Sequence, residues 1–378
     1  MSPPGSRLRL GVLRDAPDEG WPSMDLVAEM LVRELRGPLA GRVEPDVLRP
    51  ALPRLARRVP GLPARWALNA DRLAGRHFLH PLQARLFRRG HDAFHVADHS
   101  YAHLVHALPP ERTGVYCHDL DAFRSLFPGG EKRPGWFRAI ARRALRGLQR
   151  AAVVFHSTRA VAEEIGRRGL LDPARLVLAP YGVASELTPE PPPGAPPLPE
   201  RLAGRRYLLH VGSGAPRKRL DVLFESFARV RRDAPGLLLV QRGAALSPEL
   251  SAQVERLGLG GVLVQLPPAT REELAQLYRG AALVLIPSDA EGFGLPVLEA
   301  LACGAPVLAS DLPALREVGG DAALYAPPGD AAAWAVAVST FLAGPGSGPS
   351  RQRRIDRASG FTWIGHARAI LGAYERIL

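Results

Sequence analysis

The 378-residue chain is 46% hydrophobic and 23% charged, which excludes a disordered or fibrous polymer and is long enough for two domains of ordinary size. Lys and Arg number 49 against 37 Asp and Glu, a formal net charge of +12, so anions are favoured as partners, whether nucleic acid, acidic lipid or phosphorylated small molecules. Cys117 and Cys303 are the sole cysteines, which excludes a disulfide framework and a CxxC metal site and fits a reducing, cytoplasmic compartment.

The opening "MSPPGSRLRLGVL" holds too short an apolar run for a signal peptide, and no uninterrupted apolar stretch reaches membrane-spanning length. A soluble or peripheral protein is expected. Short apolar runs then alternate with helical stretches, the pattern of parallel sheets with crossover helices. The predicted strands are 8–13, 92–97, 113–117, 152–157 and 175–180 in the first half, and "YLLHVG", "LLLVQ", "VLVQL", "ALVLIP", "PVLAS" and "AALYA" after position 204. Two Rossmann-like halves are therefore expected.

Between 92 and 121 the sequence holds His95, His99, His103, His106 and His118. A metal reading fails on alignment, because His95 falls in a predicted strand and so cannot share a helical face with His99 and His103. His118 differs from the others by ending the strand "TGVYC", at a carboxyl edge where parallel sheets bind ligands. The helix within 131–150 carries Arg138, Arg142, Arg146 and Arg150 on one stripe and Phe137, Ile140, Ala144 and Leu148 on the other. Two readings stand for it: a basic face on anionic lipid, or an apolar face packed on its own domain with solvated arginines. No stacking aromatics, zinc finger or reading helix supports nucleic acid.

The proline-rich stretch 185–204 opposes helix and central strand, so it reads as a stiff connector. It separates an N-terminal domain, 1–184, from a C-terminal domain, 205–360. A flexible piece is expected at 344–354, and a terminal amphipathic helix at 361–378, with Ile364, Ala367, Ile370, Leu371 and Tyr374 on one face.

Two segments carry chemistry. In "HVGSGAPRKRLDVLFESF" a strand runs into Gly212 and Gly214, then Arg217, Lys218 and Arg219 at a helix entry. Unpaired helix-start amides with adjacent basic side chains suit a diphosphate. Arg217 occupies the third glycine position of GxGxxG, so this is no dinucleotide fingerprint. In "PSDAEGFGLPVLEALACGAPVLAS" a loop joins a strand to a helix opening near Pro296. Gly292 and Gly294 permit a sharp turn and close approach, and Glu291 and Glu299 can each accept paired hydroxyls of a sugar ring. The plain alternative is an exposed loop acid and a helix-start acid held by the dipole.

The stretch "PSDAEGFGLPVLEALACGAPVLASDLPALREVGGDAALY" resembles the donor-binding signature of glycosyltransferase family 4, retaining enzymes of the GT-B fold, with Glu291 and Glu299 meeting E-x7-E. "GSGAPRKR" is similar to the same family's diphosphate loop, with Lys218 matching its lysine and Arg217 the preceding arginine. The resemblance implies α/β architecture of two Rossmann-like domains with parallel sheets facing across a cleft. It places Glu291 and His118 by the donor sugar, Glu299 on the ribose, and the amides of Phe293, Gly294 and Leu295 near sugar and phosphate. The implied reaction moves a hexose from a nucleotide-diphosphate sugar, of GDP-mannose or UDP-glucose type, to a glycan or lipid-linked acceptor at or near the inner face of the membrane. It calls for neither metal nor cofactor. A different class stays open, a catalytically silent protein binding sugar nucleotides or anionic surfaces. The loop "RDAPDEGWPSMD" lacks the glycine-rich turn the family often places after its first strand, and Tyr181-Gly182 stands where an Asn-Gly is common.

Overall fold

A computed structural model describes residues 7–50, 52–243, 245–344, 346 and 348–378. The chain divides into two compact units, residues 1–182 with 363–378, and residues 183–362.

Among the described residues the first unit is built on six parallel strands: β1 (Leu8–Leu13), β2 (Val43–Leu48), β3 (Ala93–Val96), β4 (Thr113–Cys117), β5 (Val153–His156) and β6 (Leu176–Leu178), in the order β2-β1-β3-β4-β5-β6. Its helices are α1 (Pro22–Arg36), α2 (Ala64–Ala74), α3 (His80–Phe87), α4 (Gly135–Arg150) and α5 (Arg159–Arg167). The central strands are buried along their length, as expected where helices cover both faces. β2 was not foreseen: "VEPDVL" holds a proline and two acids, tolerable because β2 is an edge strand.

α4 presses its Ala141, Ala144, Gly147 and Leu148 inward against the tight helical segment His99–Ala107. A Cβ at Gly147 would fall 2.0 Å from the Ala102 carbonyl oxygen, so only glycine permits that approach. The arginines of the opposite stripe are exposed, so the packed reading describes the apolar face of this helix.

The second unit repeats the plan with β7 (Tyr207–Val211), β8 (Leu238–Arg242), β9 (Leu263–Leu266), β10 (Leu283–Ile286), β11 (Val307–Ser310) and β12 (Leu324–Ala326), ordered β12-β11-β10-β7-β8-β9, again parallel. Its helices are α6 (Leu220–Val230), α7 (Pro248–Arg256), α8 (Arg271–Gly280), α9 (Leu295–Ala302), α10 (Pro313–Gly319), α11 (Ala331–Ala343) and α12 (Arg351–Ser359). Leu220, Leu223, Phe224, Phe227 and Val230 of α6 are buried as their spacing predicts, and Thr270 and Glu273 form the foreseen capping box on α8.

The proline-rich stretch 185–204 lies within the second unit. Arg279 reaches the Thr188 carbonyl at 2.9 Å, Arg271 the Glu186 carboxylate at 3.4 Å, and Leu187 and Leu202 are buried. Within 344–354, expected as a flexible piece, α12 begins at Arg351, capped by Ser350; Pro345 and Ser347 lie outside the described residues.

α13 (Trp363–Ile377) closes the first unit. The buried Tyr374 hydroxyl donates to the Phe94 carbonyl at 2.9 Å, and Trp363 stacks on Tyr181. Among the described residues no helix is long and apolar enough to cross a membrane.

Candidate functional site

In the second unit the strand order reverses between β7 and β10: β8 and β9 extend one way, β11 and β12 the other. Loops leaving the carboxyl ends of two such strands diverge around a crevice, the usual ligand position in an open parallel sheet. Here those loops are 212–219 and 287–294, the two segments singled out by sequence.

The loops are stitched together. Lys218 Nζ lies 2.5 Å from Glu291 Oε1, and Arg217 Nη1 lies 3.4 Å from Glu291 Oε2. The Ser288 hydroxyl donates to Glu291 Oε1 at 2.8 Å, and the Asp289 amide donates to the Arg217 carbonyl at 2.8 Å. Arg219 grips Asp221 and also Asp289, the latter through Nη1 at 2.9 and 3.0 Å. Arg219 adopts φ 49°, the single non-glycine residue with positive φ among those described. That conformation costs an L-residue about 1–2 kcal/mol, and its five contacts to carboxylate oxygens of two acids hold it there.

Glu291 is therefore not an acid standing free in its loop. Burial pushes its carboxyl up, but Lys218 and Arg217, with hydrogen bonds from Lys218 and Ser288, outweigh burial and hold it below the usual range. One carboxylate positions two cations and leaves the cluster net positive. Beneath them sits His210, whose Nδ1 donates to the Leu285 carbonyl at 2.9 Å. Burial, opposed by that hydrogen bond and reinforced by Lys218, lowers its pKa to about 4, so the ring is neutral.

α9 begins at Leu295, one residue earlier than Pro296, with Gly294 at its N-cap at φ 95°. A Cβ on Gly294 would fall 2.4 Å from Leu315 Cδ2, so both conformation and space demand glycine. Phe293 is buried with its ring edge-on to Phe361, which anchors the loop backbone at Gly292 and Gly294. Glu299 falls in the second turn of α9, not at the end of the first, so the dipole does not account for it. The Tyr278 hydroxyl donates to Glu299 Oε2 at 2.7 Å. Burial raises the Glu299 pKa, and Tyr278, Arg242 and Arg271 oppose the rise. Gly212 donates its amide to the Arg242 carbonyl at 3.0 Å, and a Cβ on Gly214 would meet nothing closer than 3.6 Å.

The first unit reverses its strand order between β1 and β3, and a second polar cluster follows those strands. His118 is deeply buried, and neither of its ring nitrogens is offered outward: Nε2 donates to the Ala97 carbonyl at 2.9 Å and Nδ1 accepts from the Tyr181 hydroxyl. In this conformation protein groups use both nitrogens of the imidazole. Its amide donates to His99 Nδ1 at 3.3 Å. The other histidines are similarly committed: His95 to Tyr374, His103 to the Arg76 carbonyl, His106 to the Arg143 carbonyl. Asp15, after β1, is buried with both carboxylate oxygens lacking a hydrogen-bond partner among the described residues. Burial, then the Asp98 charge, raises its pKa well above normal.

Sequence reasoning missed the Arg219–Asp289 clamp, Ser288, Tyr278 and His210. Of these, His210 carried a signal: it is the one polar residue in the buried strand "YLLHV".

Residues 199–360 match the family model described as Glycosyl transferases group 1. This segment belongs to that family. The chain is 32% identical over 250 residues to D-inositol 3-phosphate glycosyltransferase of Mycobacteroides abscessus, covering 62% of this chain and 55% of the relative. It is 35% identical over 162 residues to O-antigen chain mannosyltransferase B of Escherichia coli, covering 41% of this chain and 42% of the relative. The chain spans about half the length of the curated relatives it matches. Among solved structures, sucrose-phosphate synthase of Thermosynechococcus elongatus superposes with TM-score 0.75 at 19% identity, covering 98% of this chain and 99% of that one. Anabaena HepE, solved with UDP and glucose, superposes with TM-score 0.75 at 18% identity, covering 98% and 100%. The fold is GT-B.

Proposed function

We propose that the protein is a retaining hexosyltransferase which takes a sugar from a nucleotide-diphosphate donor held by the second unit. What carries the reading is the pair of cations, Lys218 and Arg217, fixed by Glu291 where the strand order reverses. Two basic side chains at a switch-point crevice, beside the start of α9, form a preorganised home for charge developing on a leaving diphosphate. Glu299, buried and steadied by Tyr278, is the acceptor for ribose hydroxyls. The family of residues 199–360, the mannosyltransferase and inositol phosphate glycosyltransferase relatives, and the UDP and glucose bound to HepE support this assignment.

In the proposed chemistry the acceptor hydroxyl attacks the anomeric carbon on the face from which the diphosphate departs. The glycosidic C–O bond breaks as the new one forms, and the hydroxyl proton passes to a leaving phosphate oxygen. Arg217, Lys218 and the amides at the start of α9 hold that phosphate. The first unit supplies acceptor recognition, with a glycan or lipid-linked acceptor, and His118 acts there as a positioning residue rather than as a catalytic one. Donors of GDP-mannose and UDP-glucose type are favoured, and the reaction is placed in the cytoplasm.

Incubation of the full chain with UDP, GDP and ADP hexoses, followed by release of nucleoside diphosphate, tests this reading. Turnover of one of them, lost in Lys218→Ala, is expected. A protein that binds a sugar nucleotide and never breaks its glycosidic bond is the silent binding module instead.

A further inference from the structure

Thirteen large apolar side chains are exposed among the described residues, and nine of them fall between Leu55 and Leu86. Scattered exposed apolar residues are ordinary, but such a concentration marks an interaction surface. It is built on one helical run: α2 (Ala64–Ala74), a wider π-type turn (Gly75–Leu79) and α3 (His80–Phe87) follow without a break. The run is amphipathic in the wrong sense for a solvated helix. Ala67, Asp71, Gly75, His80 and Ala84 face inward, while Trp66, Phe78, Leu82 and Leu86 are 63%, 75%, 54% and 61% exposed. Those four lie at spacings of four or multiples of four. Such a spacing drifts around a helix of 3.6 residues per turn, and the wide turn takes up part of the drift.

The charge around this stripe is one-sided. Residues 52–90 contain nine arginines and one acid, Asp71, and that acid is buried, accepting from the Ala56 amide at 2.8 Å. Arg54, Arg58, Arg65, Arg85, Arg88 and Arg89 are exposed alongside the apolar residues.

We infer that this face docks on an anionic phospholipid bilayer, with the run from Ala64 to Phe87 lying in the headgroup plane. Apolar side chains flanked by arginine, with tryptophan among them, match the boundary between acyl chains and phosphates. Each arginine near an anionic leaflet adds electrostatic attraction. Charge complementarity selects this occupant over a second copy of the chain, whose identical arginine-rich face repels it. This face is distinct from the arginine stripe on α4.

Co-sedimentation of the full chain with vesicles tests the inference without any activity readout, so its outcome is separable from that of the proposed transfer reaction. Vesicles of equal parts phosphatidylglycerol and phosphatidylcholine should bind at least about tenfold more tightly than pure phosphatidylcholine. Phe78→Ser with Leu82→Ser should lower binding about tenfold, and Arg85→Glu with Arg88→Glu should abolish the preference for the anionic lipid. All four residues are exposed, so the variants should melt with the parent. Arg142→Glu with Arg146→Glu on α4 should leave binding unchanged. Equal binding to both vesicles, indifference to the 78/82 pair, or dependence on the α4 pair overturns the inference. A concentration-dependent dimer dissolved by the 78/82 pair overturns it too, and makes the face a self-interface.

Discussion

Lys218 Nζ sits 2.5 Å from Glu291 Oε1, an ion pair between side chains 73 residues apart that joins the two loops of the switch point. On the proposed reading the acid aims cations rather than gripping a hydroxyl by itself. Glu291→Gln keeps the shape and removes the charge, so Lys218 and Arg217 lose their fixed position while the cluster becomes more positive. Turnover should fall by about tenfold or more, whereas affinity for free nucleoside diphosphate should hold or rise. Weaker binding with unchanged turnover, read by calorimetry and steady-state kinetics, would contradict this role.

Arg219 holds a left-handed conformation because Asp221 and Asp289 both bind its guanidinium. Arg219→Ala keeps the strain and loses the clamp, while Arg219→Gly loses both. The glycine variant should therefore be the more stable of the two by about 1 kcal/mol. Alanine at least as stable as glycine in chemical denaturation would show that no strain is stored at this position.

Tyr278 donates to a buried carboxylate, Glu299, whose pKa is already raised by burial. Removing that hydroxyl in Tyr278→Phe takes away a group that favours the charged form, so the pKa rises further. Nucleotide affinity should drop by about tenfold near neutral pH, with the deficit growing as pH falls. Glu299→Ala should weaken nucleotide binding far more than His118→Ala does. The reverse ordering would overturn the ribose assignment.

Buried neutral imidazoles set the acid limit of stability. Burial lowers His95 to about 3, and His210 and His366 to about 4, from 6.5. The unfolded chain binds protons on these residues before the folded one does, so stability is complete above the unfolded value and is lost as pH falls through that window. Each such residue costs about 1.4 kcal/mol per pH unit. Asp15 has the opposite sense: its raised pKa means stability present at low pH is lost as pH rises. Asp15→Asn should accordingly raise the melting temperature near neutral pH and have little effect in acid. A melting temperature flat between pH 6.5 and 5 would contradict the histidine account.

Eleven of the twelve strands among the described residues were legible because each is a short apolar run, the central ones buried on both faces. β2 was hidden by Pro45 and by Glu44 and Asp46, residues that only an edge position tolerates. The two loops were legible through glycines, a helix start and basic residues, all local signals. Their joining was not, since Lys218 meets Glu291 and Arg219 meets Asp289 only after β10 has paired beside β7. The same limit explains His118, whose partners Ala97 and Tyr181 come from the segments that follow β3 and β6. The apolar run on α2 and α3 escaped notice because its outward and inward faces both hold small or apolar residues, so periodicity alone does not say which side is buried.

The central claim is that Lys218 and Arg217 form a cradle for a diphosphate leaving group, and calorimetric titration of sugar nucleotides into parent and Lys218→Ala protein tests it most directly. The account predicts saturable binding by the parent and a loss of about tenfold or more in the variant, with nucleosides lacking phosphate bound equally by both. Equal affinity of parent and variant for the diphosphate ligands would contradict it.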